Sequence, residues 1–210
     1  MLCKEELVNF EKDIASIYEA GKIKAPVHLR DGNEQKLIDI FKNLQISKKD
    51  YVFSTWASHL HALLKGVEPQ KVKQDILEGR SITLHYPDDN FYSSAIVGGI
   101  CPIATGVAMA IKRKKETSRV YCFVGDMAFR TGISHESIVY AVSQDLPITF
   151  IVEDNKKSVG TPTEECWGGV PTERLYEFYK NISTQTSVDV LYYQYEMTYP
   201  HSGTGVFVEF

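Results

Sequence analysis

Two groups of oxygen-bearing residues stand where a doubly wound sheet would hold a ligand. Gly125-Asp126 follows the apolar run 120–124, and Glu153-Asp154-Asn155 follows the apolar run 148–152. Ligands of such sheets bind at the carboxyl ends of the strands, so both groups face one crevice if the two strands are neighbours. Asp126 and Asn155 lie 29 residues apart, a separation that one strand–helix–strand excursion spans. A carboxylate, an amide oxygen and a backbone carbonyl supply part of an octahedral oxygen shell. Magnesium takes that donor set and completes its shell with phosphates and water. The alternative makes Asp126 the cap of the following helix and Asp154-Asn155 an ordinary turn. Spacing alone leaves both open.

The elements that must position these residues follow from periodicity. Residues 120–124 and 148–152 read as buried strands, with a helix over 133–144 between them, which is a βαβ unit and implies a right-handed crossover. The small-residue apolar run 96–110 suits a tightly packed, buried helix. Residues 5–20 carry apolar positions at helical spacing, closed by Gly21. The segments 34–44, 54–65 and 68–78 have the same character, so the first third is expected to be mainly helical. Runs 188–195 and 205–210 are expected as closing strands. The class is therefore α/β, a doubly wound, mostly parallel sheet with helices on both faces, in a single domain over 1–210 that carries an N-terminal helical segment over 1–45.

Charge narrows the partners. The 210 residues carry a net charge of −4, which argues against nucleic acid, whose phosphates call for a basic excess. The one dense basic run, Lys112 to Lys115, reads as the solvated last turn of a helix, complementing its dipole. No uncharged apolar run is long enough to cross a bilayer, and the expected compartment is the cytoplasm. Cysteines at 3, 101, 122 and 166 form no CxxC pair and read as reduced thiols, not a zinc site. His135-Glu136 lacks the second histidine a zincin needs, since position 139 is Val139. His201 is expected in a surface turn; His61 and His85 are left unassigned. There is neither a GxGxxG after a strand nor a GxxxxGK[ST] loop.

An ordered series of motifs adds to this. Gly125-Asp126-Met127-Ala128, then His135-Glu136, Asp145-Leu146-Pro147-Ile148 and Glu153-Asp154-Asn155 resemble the thiamine diphosphate motif of the alpha subunits of 2-oxo acid dehydrogenases. Upstream, Ala95-Ile96-Val97-Gly98-Gly99 and Pro102-Ile103-Ala104-Thr105-Gly106 resemble the segment that lies against the cofactor's aminopyrimidine. Thr55-Trp56-Ala57-Ser58-His59 falls where that family has Tyr-Arg-x-His, and His28-Leu29-Arg30-Asp31-Gly32 resembles its His-Leu-x-Asp-Gly. The resemblance runs from about His28 to Gly168 and implies a thiamine diphosphate-binding fold. It implies that Asp126, the Asn155 side chain and the Lys157 carbonyl hold magnesium. Gly125, Met127 and Ala128 would border the diphosphate, with backbone N–H groups of the latter two turned to it. Trp56 would contact the diphosphate, Ala95 and Val97 would lie at the aminopyrimidine, and His28 and His59 would line the substrate end as catalytic residues.

The same resemblance implies a partner. The glutamate that activates the cofactor sits on a pyrimidine-binding domain carried by a beta-type subunit, in an assembly of two alpha and two beta chains. Three departures bear on function. The family's diphosphate-binding arginine is Ala57 here, with Arg30, Arg80 or a partner residue to fill the gap; motif glycines are replaced by Met127 and Ala95; and the family's loop beyond position 210, with its further active-site histidine, is not present in the sequence. Decarboxylation of a 2-oxo acid, or carbon–carbon cleavage of a ketose with transfer of the fragment, is the expected reaction. A non-catalytic cofactor-binding or assembly subunit is the alternative.

Overall fold

The computed structural model describes residues 2–209. In chain order its elements are α1 (Lys4–Glu19), α2 (Glu34–Asn43), β1 (Tyr51–Ser54), α3 (His59–Lys65), α4 (Pro69–Leu77), β2 (His85–Tyr86), β3 (Phe91–Ser93), α5 (Ile100–Lys114) and β4 (Val120–Gly125). There follow α6 (Asp126–Phe129), α7 (Gly132–Ser143), β5 (Ile148–Asp154), β6 (Lys157–Ser158), β7 (Thr161–Pro162), α8 (Thr163–Trp167), α9 (Thr172–Ser183) and β8 (Asp189–Gln194). They form two compact units. One comprises the chain up to Lys48, Trp56–Ser94 and the chain from Glu196 on; the other comprises Lys49–Thr55 and Ala95–Tyr195.

The second unit is built on four parallel strands in the order β1-β4-β5-β8. All seven residues of β5 and the first five of β4 are buried, which explains why both read as continuous apolar runs with no alternation. Helix α5 packs on β4 and on α7, and α9 packs on β8. The expected α/β class with a parallel sheet and a βαβ unit over 120–154 is what the chain forms. Thr131 starts α7 by accepting the Ser134 N–H on its side chain. Lys112 does more than complement the end of its own helix. Its Nζ donates to the Gln144 and Asp145 carbonyls at 2.7 and 2.9 Å, closing the C-terminus of α7.

The first unit packs α1 on α2, α2 on α3 and α3 on α4, and carries the short antiparallel hairpin β2–β3. Two fully buried carboxylates hold its loop at 30–32. Glu11 accepts the backbone N–H groups of Arg30 and Asp31, and Glu34 accepts that of Gly32. Burial raises Glu11 to about 7, against those donors, which pull it down, and the neighbouring Glu34 adds to the rise.

Three expectations need correction. Residues 51–54 form a strand and α3 starts only at His59, because three apolar residues and a serine beside a parallel neighbour suffice for a strand and carry no period of their own. The helix expected over 96–110 begins at Ile100 and is not buried all round: Pro102, Ile103, Gly106 and Ala110 are exposed. Residues 205–209 form no strand, and Val206 and Phe207 are exposed; an apolar stretch needs a sheet edge to join. Phe210, the end of that expected strand, lies outside the described residues.

Candidate functional site

The parallel register sets the oxygen-bearing residues at one sheet end. Gly125 pairs with Glu153 as the last rungs of β4 and β5, so the chain leaves both strands together. Asp126 opens the short helix α6, with Gly125 as its extended cap. Its carboxylate is 2% exposed and accepts the Thr163 hydroxyl at 2.5 Å. Burial pushes Asp126 up to about 6; the Thr163 hydroxyl and the backbone N–H groups of Asp126 and Met127 work against that, and the negative charge of Asp154 adds to it. Asp154, itself buried, accepts the Lys156 N–H at 2.8 Å and the Tyr192 hydroxyl at 2.6 Å. That phenol is pushed well above its ordinary value by burial and by the carboxylate it serves.

Asn155 is half-buried, and its Oδ1 accepts the Lys157 N–H at 3.1 Å, which turns the chain into β6. Met127 is half-buried, its sulfur receiving the indole N–H of Trp167. Ala128 is buried, while Ala95 and Val97 are exposed in the turn before α5. Among the described residues no group of three or more His, Cys, Asp or Glu side chains is arranged for a metal ion. The fit is instead to a hard cation that borrows ligands. Two buried carboxylates within electrostatic reach of each other leave one resisting ionisation, and a divalent cation between oxygen donors removes that resistance. Thr163 and Tyr192 carried no signal in the sequence, because a hydroxyl and a carboxylate 37 residues apart meet only through the loop after β5.

The first unit holds His28, His59 and His201. His28 packs edge-on against His201, with ring centroids 4.7 Å apart, and Trp56 lies 6.2 and 6.0 Å from the two. His28 Nδ1 lies 2.5 Å from the His201 carbonyl; a carbonyl only accepts, so Nδ1 carries the proton. Burial lowers the His28 pKa, against the bond to that carbonyl, and the positive charges of His201 and Arg30 lower it further. At neutral pH His28 therefore offers a lone pair at Nε2. His59 is 1% exposed, with Nε2 2.9 Å from the Ser81 hydroxyl and Nδ1 buried without a partner among the described residues. Burial takes its pKa down to about 3, assisted by the charge of His28. His201 lies in a bend, half-buried, as a turn residue does, and its ring also contacts His28 and Trp56. Arg80 is engaged by Asp75 and Glu78 at the surface. Buried Arg30, by contrast, donates its Nε to the carbonyl of Ala57 at 2.9 Å.

The family described as "Dehydrogenase E1 component" matches residues 4–168. The pyruvate dehydrogenase E1 component subunit alpha of Porphyra purpurea is 34% identical over 169 residues, covering 72% of this chain and 48% of that protein. The protein of the same name from Rickettsia prowazekii is 32% identical over 166 residues, covering 74% and 50%. A solved thiamin diphosphate-dependent enzyme from Mycobacterium smegmatis, described as putative, aligns over 80% of this chain and 33% of its own, with 17% identity and a TM-score of 0.47. The chain spans about half the length of the curated relatives it matches.

Proposed function

Because the chain belongs to the dehydrogenase E1 component family, we propose that it is the diphosphate-holding, alpha-type subunit of a two-chain thiamine diphosphate-dependent enzyme. The substrate is a 2-oxo acid or ketose, cleaved beside its carbonyl with transfer of the fragment. The observation that carries this reading is the buried Asp126, raised to about 6 beside Asp154 at the carboxyl end of the sheet. Asp126, the Asn155 amide oxygen and the Lys157 carbonyl are the protein's share of a magnesium shell, and phosphate oxygens and water supply the rest. Gly125 keeps the approach open, and the N–H groups of Met127 and Ala128 serve the diphosphate. By the family resemblance Ala95 and Val97 would border the aminopyrimidine and Trp56 would contact the diphosphate, and Arg30, which donates to the Ala57 carbonyl, would replace the absent arginine.

Thiamine diphosphate supplies an electron sink for the electron pair left when the carbon–carbon bond breaks. This chain's residues bind, orient and move protons. His28 Nε2, unprotonated at neutral pH, accepts a hydrogen bond or proton from the substrate's hydroxyl or enol oxygen. His59, fully buried and bonded to Ser81, positions its neighbours. A beta-type partner carrying the pyrimidine-binding domain and its activating glutamate completes the site, in an assembly of two alpha and two beta chains. Exposed apolar side chains such as Ile96 at 72% and Val159 at 59% favour a covering partner.

Ala57 and the tethered Met127 favour a second reading, a cofactor-binding or assembly subunit without turnover. The test is to assay the chain, with whatever co-purifies from its host, against 2-oxo acids and ketoses in the presence of thiamine diphosphate and magnesium. Turnover that falls at least a hundredfold in Asp126→Asn supports the enzyme. Magnesium-dependent binding without turnover supports the second reading.

A further inference from the structure

The segment 196–204 follows the stretch that the family covers, which ends at residue 168, and it is fastened to the loop that carries His28 and Arg30. The Gly203 N–H donates to the Val27 carbonyl at 2.8 Å, and the Thr198 hydroxyl donates to Asp31. Gly32, at φ +99°, lies so close to the strap that a Cβ there would come within 2.2 Å of the Glu196 carbonyl oxygen. Gly203 holds φ +70° against Tyr18. Between these fastenings His201 sets its carbonyl on His28 Nδ1 and its ring edge-on to the His28 ring.

From this we infer that His201 is a positioning residue of the imidazole site. Its carbonyl holds His28 as the Nδ1–H tautomer and turns Nε2, which has no hydrogen-bond partner among the described residues, toward the substrate space. A base oriented by a third group is the recurring logic of proton-transfer sites. Free imidazole has no such constraint, so without the strap His28 is free to exchange tautomers and rotate. The ring of His201 and that of Trp56 cover the sides of His28 and keep it neutral. The charged or titratable groups that bear on it are Arg30, His201 and His59, all cationic when charged, so none stabilises an imidazolium. The inference rests on the proposed function only for what meets Nε2.

Imidazole-labelled full chain, followed by nitrogen-15 NMR between pH 5 and 9, tests the geometry without any ligand, with His28 assigned through His28→Gln. The expected result is a proton on Nδ1 throughout the neutral form and a pKa below 6.5. Gly203→Pro, which removes the N–H that holds the strap and cannot adopt φ +70°, should admit the Nε2–H form. A wild-type His28 protonated at Nε2 overturns the inference, whether or not Gly203→Pro folds. His201→Ala keeps the carbonyl and uncovers the ring, so it should raise the His28 pKa and move the acid limb of the kcat/KM profile of the co-purified complex upward with it. A limb that stays while the NMR pKa moves also overturns it. A complex without turnover, with Nδ1–H retained, removes the enzyme reading and leaves the positioning geometry standing.

Discussion

In the proposed function Asp126 is the residue on which cofactor holding turns. Replacing it with Asn keeps the shape and the bond to Thr163 but removes the charge, and magnesium-dependent binding of thiamine diphosphate should weaken at least a hundredfold by titration calorimetry. Protons compete for the same carboxylate. Its folded pKa of about 6 stands above the ordinary value of 3.8, so magnesium affinity should hold above pH 6 and fall about tenfold per unit below it. An affinity that does not change between pH 7 and 5 would place the metal elsewhere. For the imidazoles, His28→Gln should cut turnover about a hundredfold and leave the cofactor dissociation constant within twofold, because the proposed function assigns His28 to the substrate and not to the diphosphate or magnesium. Asp126 was legible from its place after an apolar run. His201 was not, because contact with residue 28 is a matter of tertiary packing that no local spacing encodes.

At the level of elements, the clasp of α1 on the loop at 30–32 has a pH signature. Glu11 sits at about 7 when folded against 4.5 otherwise, so the folded state binds the extra proton between those values. Its contribution to stability is present below pH 4.5 and is lost as pH rises through 7. Glu11→Gln, which retains an oxygen for the two N–H groups, should flatten the rise in thermal stability on acidification from pH 7.5 to 5.5. Of that rise, this group accounts for about 2 kcal/mol in the wild type. A variant with unchanged pH dependence would assign the effect to other groups. Strands β4, β5 and β8 and helices α1, α2, α4 and α7 were legible because each has either a clean period or an unbroken buried run. β1 and the hairpin β2–β3 were not, since two to four residues are too few to show a period, and the strand at 51–54 merged with the helical pattern that follows it.

For the whole molecule, the chain passes between the two compact units four times, so neither is a contiguous piece that could be cut free. We expect one cooperative unfolding transition in calorimetry, as a single domain requires; two resolved transitions would divide it. The chain spans about half the length of the curated relatives it matches, and the activating glutamate of the proposed mechanism is assigned to a partner. The most direct test of diphosphate holding is to purify the tagged chain with whatever accompanies it and to measure its thermal stability in saturating thiamine diphosphate. Magnesium or chelator is added in parallel, for wild type and Asp126→Asn. Ligand at 100 times its dissociation constant should stabilise the wild type by about 2.7 kcal/mol with magnesium, and neither the chelated sample nor Asp126→Asn should respond. A stabilisation that survives chelation and the substitution would contradict a diphosphate held through magnesium at Asp126, and no stabilisation under any condition would contradict cofactor binding by this chain.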